Sequence, residues 1–326
     1  MSAQINFELL SSAAKKLIQG ELSDTRVNAL SNFKDSEMPS TKNEEWQYTD
    51  ISNIYALCEK LFHEPPKEIK SLINKENAIA NEIDAYWVII KNGTIDIMET
   101  KRLQKIGVHV SLLSKNLDKT GVLIDDSLCS LNAALMHDAI KITVSSGVES
   151  DKPIGILFEN DKNLNNYVSN FRCIIEVKDN ATVSIIHAHT EKIQAPHFTN
   201  SVVQMDVGEN SHIEFLRLQD FSVHQTLIEK SVANLGCNAN LNYTSVDIGA
   251  QLMRADIVVN FNEKHANANI NGVYIAGDNQ HIDNHILANH FIGSSKSSQN
   301  FYGVIGGNGR CVFNGKALIW EAAINS

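Results

Sequence analysis

A four-residue pattern, Asn180-Ala181-Thr182-Val183, returns as Asn210-Ser211-His212-Ile213, as Asn238-Ala239-Asn240-Leu241 and as Asn267-Ala268-Asn269-Ile270. The spacings are 30, 28 and 29 residues. Each copy opens on a turn-forming Asn and runs into alternating apolar residues, such as Val183-Ser184-Ile185 and Ile213-Glu214-Phe215. A unit this short cannot bury an apolar face alone, so copies at a fixed period stack and bury it against one another. The alternation has the period of a strand, and the 3.6-residue period of a helical repeat is missing. The pattern predicts a mainly β chain built as a parallel β-solenoid. Val183, Ile185, Ile213, Phe215, Leu241, Tyr243 and Ile270 should point inward and stack between rungs. A sandwich of regularly spaced hairpins is the competing architecture.

The first part of the chain reads differently. Phe7, Leu10, Ala14, Leu17 and Ile18 fall at helical spacing. Gly20 and the Ser23-Asp24 pair mark a stop and a restart, and a second helical pattern runs through Val27 and Leu30. The charged stretch from Pro65 to Asp84 reads as helical or irregular. Near residue 85 the character changes. Tyr86 to Ile90 and Thr94 to Met98 read as two strands around Asn92-Gly93, a strong hairpin signal. From about residue 125 the chain reads almost wholly as β. The expected division is residues 1–105, a helical region with a hairpin, and residues 106–326, the β-solenoid.

Composition removes several functions. The formal net charge is −10 and the pI about 5.6, which argues against nucleic acid or an anionic membrane as partner. The five cysteines, Cys58, Cys129, Cys173, Cys237 and Cys311, lie at least 44 residues apart. No CxxC pair or dense framework is present, so neither a zinc ribbon nor a disulfide scaffold is signalled, and reduced thiols fit a cytoplasmic protein. The start, MSAQINFELL, lacks a basic residue before an apolar run, so no signal peptide is expected. No stretch approaches the roughly 18 apolar residues of a membrane helix.

Three places invite a chemical reading. His187 and His189 flank Ala188, putting two imidazoles on one strand face. A cupin metal site opens this way, but continues with a glutamate where Ile193 and Gln194 stand, so the pair reads as polar residues on an outward sheet face. His281, Asp283 and His285 also share one face, with His290 nearby, and are plausible zinc or iron ligands. Ligands about 7 Å apart on one straight strand rarely close around an ion unaided. Gly306-Gly307-Asn308-Gly309 lacks the Lys-Ser/Thr of a phosphate loop and reads as a tight turn. No GxSxG, HExxH or Walker A sequence occurs.

Several segments together resemble one family. Thr41-Lys42-Asn43-Glu44-Glu45-Trp46-Gln47-Tyr48-Thr49-Asp50 is similar to the K-x-E-E-W-x-Y-T signature of SufD proteins. Gln280-His281-Ile282-Asp283-Asn284-His285, followed by His290, Ser298, Gln299 and Tyr302, resembles a late segment of the family. Arg310-Cys311-Val312-Phe313-Asn314-Gly315-Lys316 resembles its R-x-V-F-N-G-K strand, and Asn170-Phe171-Arg172, Phe198-Thr199-Asn200 and Arg254 also fit. The paralogous SufB usually carries a Tyr-Arg-Gly type sequence where Val312-Phe313-Asn314-Gly315 stands here, so SufD is the better match.

The resemblance implies a right-handed parallel β-helix behind an N-terminal helical region. It implies a cytoplasmic, non-catalytic scaffold subunit working with SufB-like and SufC-like (ATPase) partners in iron–sulfur cluster assembly. The cluster, and the reduced flavin of some complexes of this family, belong to the complex; no catalytic or metal residue is expected in this chain. Trp46 is expected to be a packing anchor for the N-terminal segment. The alternative function is a β-solenoid metal-binding protein or metalloenzyme using His281, Asp283, His285 and His290. Ile286 stands where the family commonly has Thr, and Ser294-Ser295-Lys296-Ser297-Ser298 is unusual for it. The resemblance stops near Lys316, whereas the family continues with more strands, an interface histidine and a helical region that docks SufC. The expectation is therefore a chain without that region, whose last strand, Ala317-Leu318-Ile319-Trp320, exposes an edge that promotes self-association. A truncated or decayed gene product is a third reading.

Overall fold

The computed structural model describes residues 5–15, 17, 20–63, 78–91, 94–95, 97–116, 121–159 and 167–324. The helices α1 (Phe7–Lys15), α2 (Ser23–Asp35), α3 (Ser52–His63) and α4 (Ala78–Glu82) come first. Next come β1 (Tyr86–Lys91), β2 (Thr94–Ile95), α5 (Ile97–Lys105), β3 (Val108–Leu112) and α6 (Ser127–Leu135). Strands fill almost all the rest: β4 (Ile140–Val144), β5 (Ile154–Glu159), β6 (Tyr167–Val177), β7 (Thr182–His189), β8 (His197–Val207), β9 (His212–Phe221) and β10 (Gln225–Leu235). The series ends with β11 (Asn240–Gly249), β12 (Leu252–Phe261), β13 (Asn267–Ala276), β14 (His281–His290), β15 (Lys296–Ile305) and β16 (Arg310–Ile319).

From β4 onward successive strands alternate between two sheets, ordered β15-β13-β11-β9-β7-β5-β1-β2 and β16-β14-β12-β10-β8-β6-β4-β3. From β4 and β5 onward every rung pairs in parallel with the next, giving a parallel β-solenoid of about six turns. The inward residues predicted from the alternation are all 1% exposed or less. Val183 lies beside Ile213, and Ile213 beside Leu241; Ile185 lies beside Phe215, and Phe215 beside Tyr243.

One repeat is registered differently from the sequence reading. The turn asparagines Asn180, Asn210 and Asn238 have φ of 60°, 54° and 55°, but the fourth such position is His265, with φ 63°. Asn267 instead pairs with Asn240, and Ile270 lies beside Tyr243. The left-handed turn conformation favours Asn without requiring it. The turn Asn side chains also ladder between rungs: Asn210 Nδ2 donates to Asn180 Oδ1 at 3.3 Å and Asn238 Nδ2 to Asn210 Oδ1 at 3.0 Å. The Gly306–Gly309 stretch is the tight β15–β16 turn, with Gly307 at φ 57°.

The N-terminal half holds three departures from expectation. The hairpin exists, with Ile90 opposite Ile95, but its second strand ends at Ile95 and Ile97–Lys105 is helical. The Asn92-Gly93 turn, Ile18 and residues 65–77 of the charged stretch lie outside the described residues. Ser127–Leu135 is a helix inside the stretch read as β; Asp126 caps it by accepting from the Cys129 amide at 2.7 Å. On α2 the buried residues are Arg26, Ala29, Leu30 and Phe33, and Val27 is exposed. Strand β1 pairs in parallel with β5, so the hairpin is the first part of a solenoid sheet. Among the described residues no helix is long and apolar enough to cross a membrane. At the far end, Ile305, Phe313 and Ile319 are exposed.

Helices α3 and α6 lie over the outer face of the β6–β8 part of the second sheet, and α2 packs on α6. Burial at the start of β8 sets a pH response. His197 is 1% exposed, its Nε2 lies 3.1 Å from Ser169 Oγ, and burial pulls its pKa from 6.5 down to about 3. The unfolded chain takes up a proton below pH 6.5 that folded His197 refuses until about pH 3, so stability is lost as pH falls through that window. His197 is expected to contribute about 1.4 kcal/mol per pH unit there. In urea titrations at stepped pH, His197→Gln should show a shallower acid slope; an unchanged slope would refute the assignment.

Candidate functional site

Alternation along β14 sends Ile282, Asn284 and Ile286 inward and leaves His281, Asp283 and His285 on the outer face. Register places Arg254 of β12 beside Asp283, and Asp256 beside His285. Across this face runs the segment around Glu44–Trp46, which forms one turn of 3₁₀ helix. Arg254 joins the parts. Its Nη1 donates to Asp283 Oδ2 at 2.6 Å and to the Glu45 carbonyl at 2.9 Å, and Nη2 donates to Asp256 Oδ1 at 2.8 Å. Its guanidinium lies 3.7 Å from the Trp46 ring centroid. Thr49 Oγ1 donates to Asp283 and lies 2.8 Å from His281 Nε2. His285 bridges Asp283, at 2.9 Å, and Glu45, at 3.3 Å. Lys316 of β16 comes within 3.6 Å of Glu45, and Arg310 lies 5.8 Å from the Tyr48 ring.

The three sequence segments singled out above, around Trp46, His281 and Arg310, therefore meet at one clamp. Asp283 is buried, which works against ionisation, but His285, Arg254 and Thr49 outweigh this and hold its carboxyl below the usual range. The clamp does not assemble the four-ligand set of the metal reading. Arg254 already occupies Asp283, and His290 stacks on Phe261 at 4.3 Å while contacting Ser295 and Ser297 at 2.7 and 2.9 Å. Trp46 is half-buried against the helical core, as a packing anchor is. Trp46→Ala should lower stability by about 2 kcal/mol, from lost burial and cation–π contact with Arg254. Chemical denaturation checks this; an unchanged midpoint with lost partner binding would make Trp46 a binding hot spot instead.

Beside the clamp lies a groove of about 670 Å³ whose walls include Glu45, Trp46, Lys230, Arg254, His285 and Lys316. Asp125, Asp126 and Cys129 converge at its edge. Lys230 Nζ bonds both aspartates, at 2.7 and 2.8 Å, and burial pushes the Cys129 thiol well up. The cluster is thus internally satisfied and the thiol is no activated nucleophile. Just behind, Arg172 ties α6 to the sheet. It donates to Asn132 Oδ1, the Leu123 carbonyl and Gln204 Oε1, each at 2.9 Å, and to the Cys129 carbonyl at 3.1 Å. Asn132 Nδ2 in turn donates to the carbonyls of Phe171 and Asn200.

The pair His187 and His189 is not on an outward face. Both side chains are fully buried in the lumen, because the inward alternation of Val183 and Ile185 continues through them. Facing them is Glu229 of β10, and beside it Arg217 of β9 pairs with Asp247 of β11 at 2.8 Å. Burial pulls His187 down to about 3, so its ring is neutral. Glu229, Arg217 and Asp247 were missed in the sequence. The signal was present: each continues an inward alternation, Ile213-x-Phe215-x-Arg217, Leu227-x-Glu229 and Leu241-x-Tyr243-x-Ser245-x-Asp247.

Comparison with known proteins places both parts of the chain. Residues 159–326 match the family model described as SUF system FeS cluster assembly, SufBD core domain, and residues 6–156 match the SufBD protein N-terminal region. An iron–sulfur cluster assembly SufBD family protein of Synechocystis sp. is 23% identical over 98% of this chain and 75% of its own length. The iron–sulfur cluster assembly protein SufD of Escherichia coli K12 is 20% identical over 89% of this chain and 68% of its own length.

Proposed function

The chain belongs to the SufBD family of the SUF iron–sulfur cluster assembly system, and from that premise we propose that it is a SufD-like, non-catalytic scaffold subunit. In this reading it supports a SufB-like subunit and a SufC-like ATPase in the cytoplasm, and the cluster and any reduced flavin belong to the assembled complex. The observation that carries the reading is the match of both family regions, 6–156 and 159–326, in one chain. The clamp supports it physically. Arg254, Asp283, Thr49 and His285 spend their bonding capacity on one another, holding the N-terminal segment against the solenoid. That is the arrangement of a rigid support, whereas a catalytic site keeps a reactive group free for substrate. Co-expression with SufB-like and SufC-like subunits, followed by gel filtration with light scattering, tests the proposal. One complex containing all three chains is expected; elution of this chain alone would contradict it.

A further inference from the structure

We infer that the solenoid lumen holds one divalent first-row transition-metal ion between His187, His189 and Glu229. The donors are His187 Nδ1, His189 Nε2 and Glu229 Oε2. The two nitrogens lie 3.5 and 3.6 Å from the carboxylate oxygen. Those separations are long for a hydrogen bond. They match the roughly 3.4 Å between two ligands that each sit about 2.1 Å from a shared ion in near-tetrahedral geometry. All three donor atoms lie within 4.8 Å of one another.

A second observation is independent of the spacing. No nitrogen of either imidazole, nor Oε2 of Glu229, has a hydrogen-bond partner, although the side chains are 0%, 0% and 1% exposed. Buried polar atoms left unpaired each cost about 1–3 kcal/mol. An ion at their common centre satisfies the three that converge.

Charge points the same way. Arg217 is committed to Asp247 at 2.8 Å and reaches Glu229 only at 3.6 Å. One guanidinium thus faces two carboxylates in a lumen closed to water, and a bound cation supplies the missing positive charge. Two imidazoles with one carboxylate form a borderline donor set suited to Zn²⁺ or Fe²⁺, whereas Mg²⁺ and Ca²⁺ prefer all-oxygen cages. Phe158, stacked on His189 at 5.1 Å, and Phe215, 6.1 Å from His187, wall the site and hold the rings in place.

The full chain, purified without a histidine tag, is refolded from denaturant with Zn²⁺, with Fe²⁺ under anaerobic conditions, or with a chelator alone. Elemental analysis after desalting should find close to one equivalent of metal, and the denaturation midpoint should rise over the chelator control. The arm that retains metal identifies the ion. The variant His187→Gln/His189→Gln should lose the metal, and His281→Gln/His285→Gln, on the outer clamp, should keep it. Should the lumen variant fail to fold, X-ray absorption of the loaded wild type decides, with a shell of two imidazole nitrogens expected. A folded wild type with far less than one equivalent in both metal arms, retention by a folded lumen variant, or loss from the outer variant would each overturn the inference.

Discussion

Arg172→Met is expected to lower stability by about 4 kcal/mol or more and to free α6 from the sheet. Arg172 is 1% exposed and satisfies four acceptors, three of them on the 121–136 segment (the Leu123 and Cys129 carbonyls and Asn132 Oδ1) and one on Gln204 of β8. Burial pulls its guanidinium down to about 10, which leaves it charged at neutral pH. Methionine fills much of the volume but strands the acceptors, and each buried acceptor left unpaired costs about 1–3 kcal/mol. Arg172→Lys should recover little, because an ammonium cannot reproduce the planar fork. Urea denaturation and limited proteolysis check this, with cleavage expected first around α6. A loss below about 1 kcal/mol would show that the helix docks by apolar packing alone.

The second large effect lies inside the solenoid. Arg217→Met leaves Asp247 and Glu229 without the guanidinium between them, in a lumen where all three are 1% exposed or less. Breaking a buried ion pair from one side costs about 3–5 kcal/mol, a large share of the roughly 5–15 kcal/mol of an ordinary domain. Replacing both partners, as Arg217→Met/Asp247→Leu, removes the stranded carboxylate and should restore much of the loss. Equal denaturation midpoints for the single and double variants would refute the pairing account.

These side chains explain how much the sequence disclosed. Strand alternation and a period near 29 residues were enough for the solenoid, and they placed Val183, Phe215 and Tyr243 correctly because a one-residue slip would turn each outward. The same rule, carried two and four residues past Ile185, places His187 and His189 in the lumen. What spacing cannot supply is register between rungs of unequal length. The meeting of Glu229 with His187 depends on how β10 faces β7 across the lumen, and the 27-residue step from Asn238 to His265 is hidden because His replaces Asn at the turn. Helix α6 is short and buried on all sides up to Ala134, so its apolar run carries no amphipathic period, although Asp126 offered a cap. At the clamp the resemblance named the right segments, while their contact through Arg254 and Trp46, 208 residues apart, is visible only in three dimensions.

Scaffolding of cluster assembly is tested most directly by reconstitution. The purified chain, a SufB-like subunit and a SufC-like ATPase are combined anaerobically with iron, sulfide and ATP, and cluster formation is followed by visible absorption with and without this chain. The account predicts that the chain assembles no cluster alone, joins the other two in one complex, and raises the yield of cluster passed to an acceptor protein. The same yield with and without the chain, together with its elution apart from both partners, would contradict it.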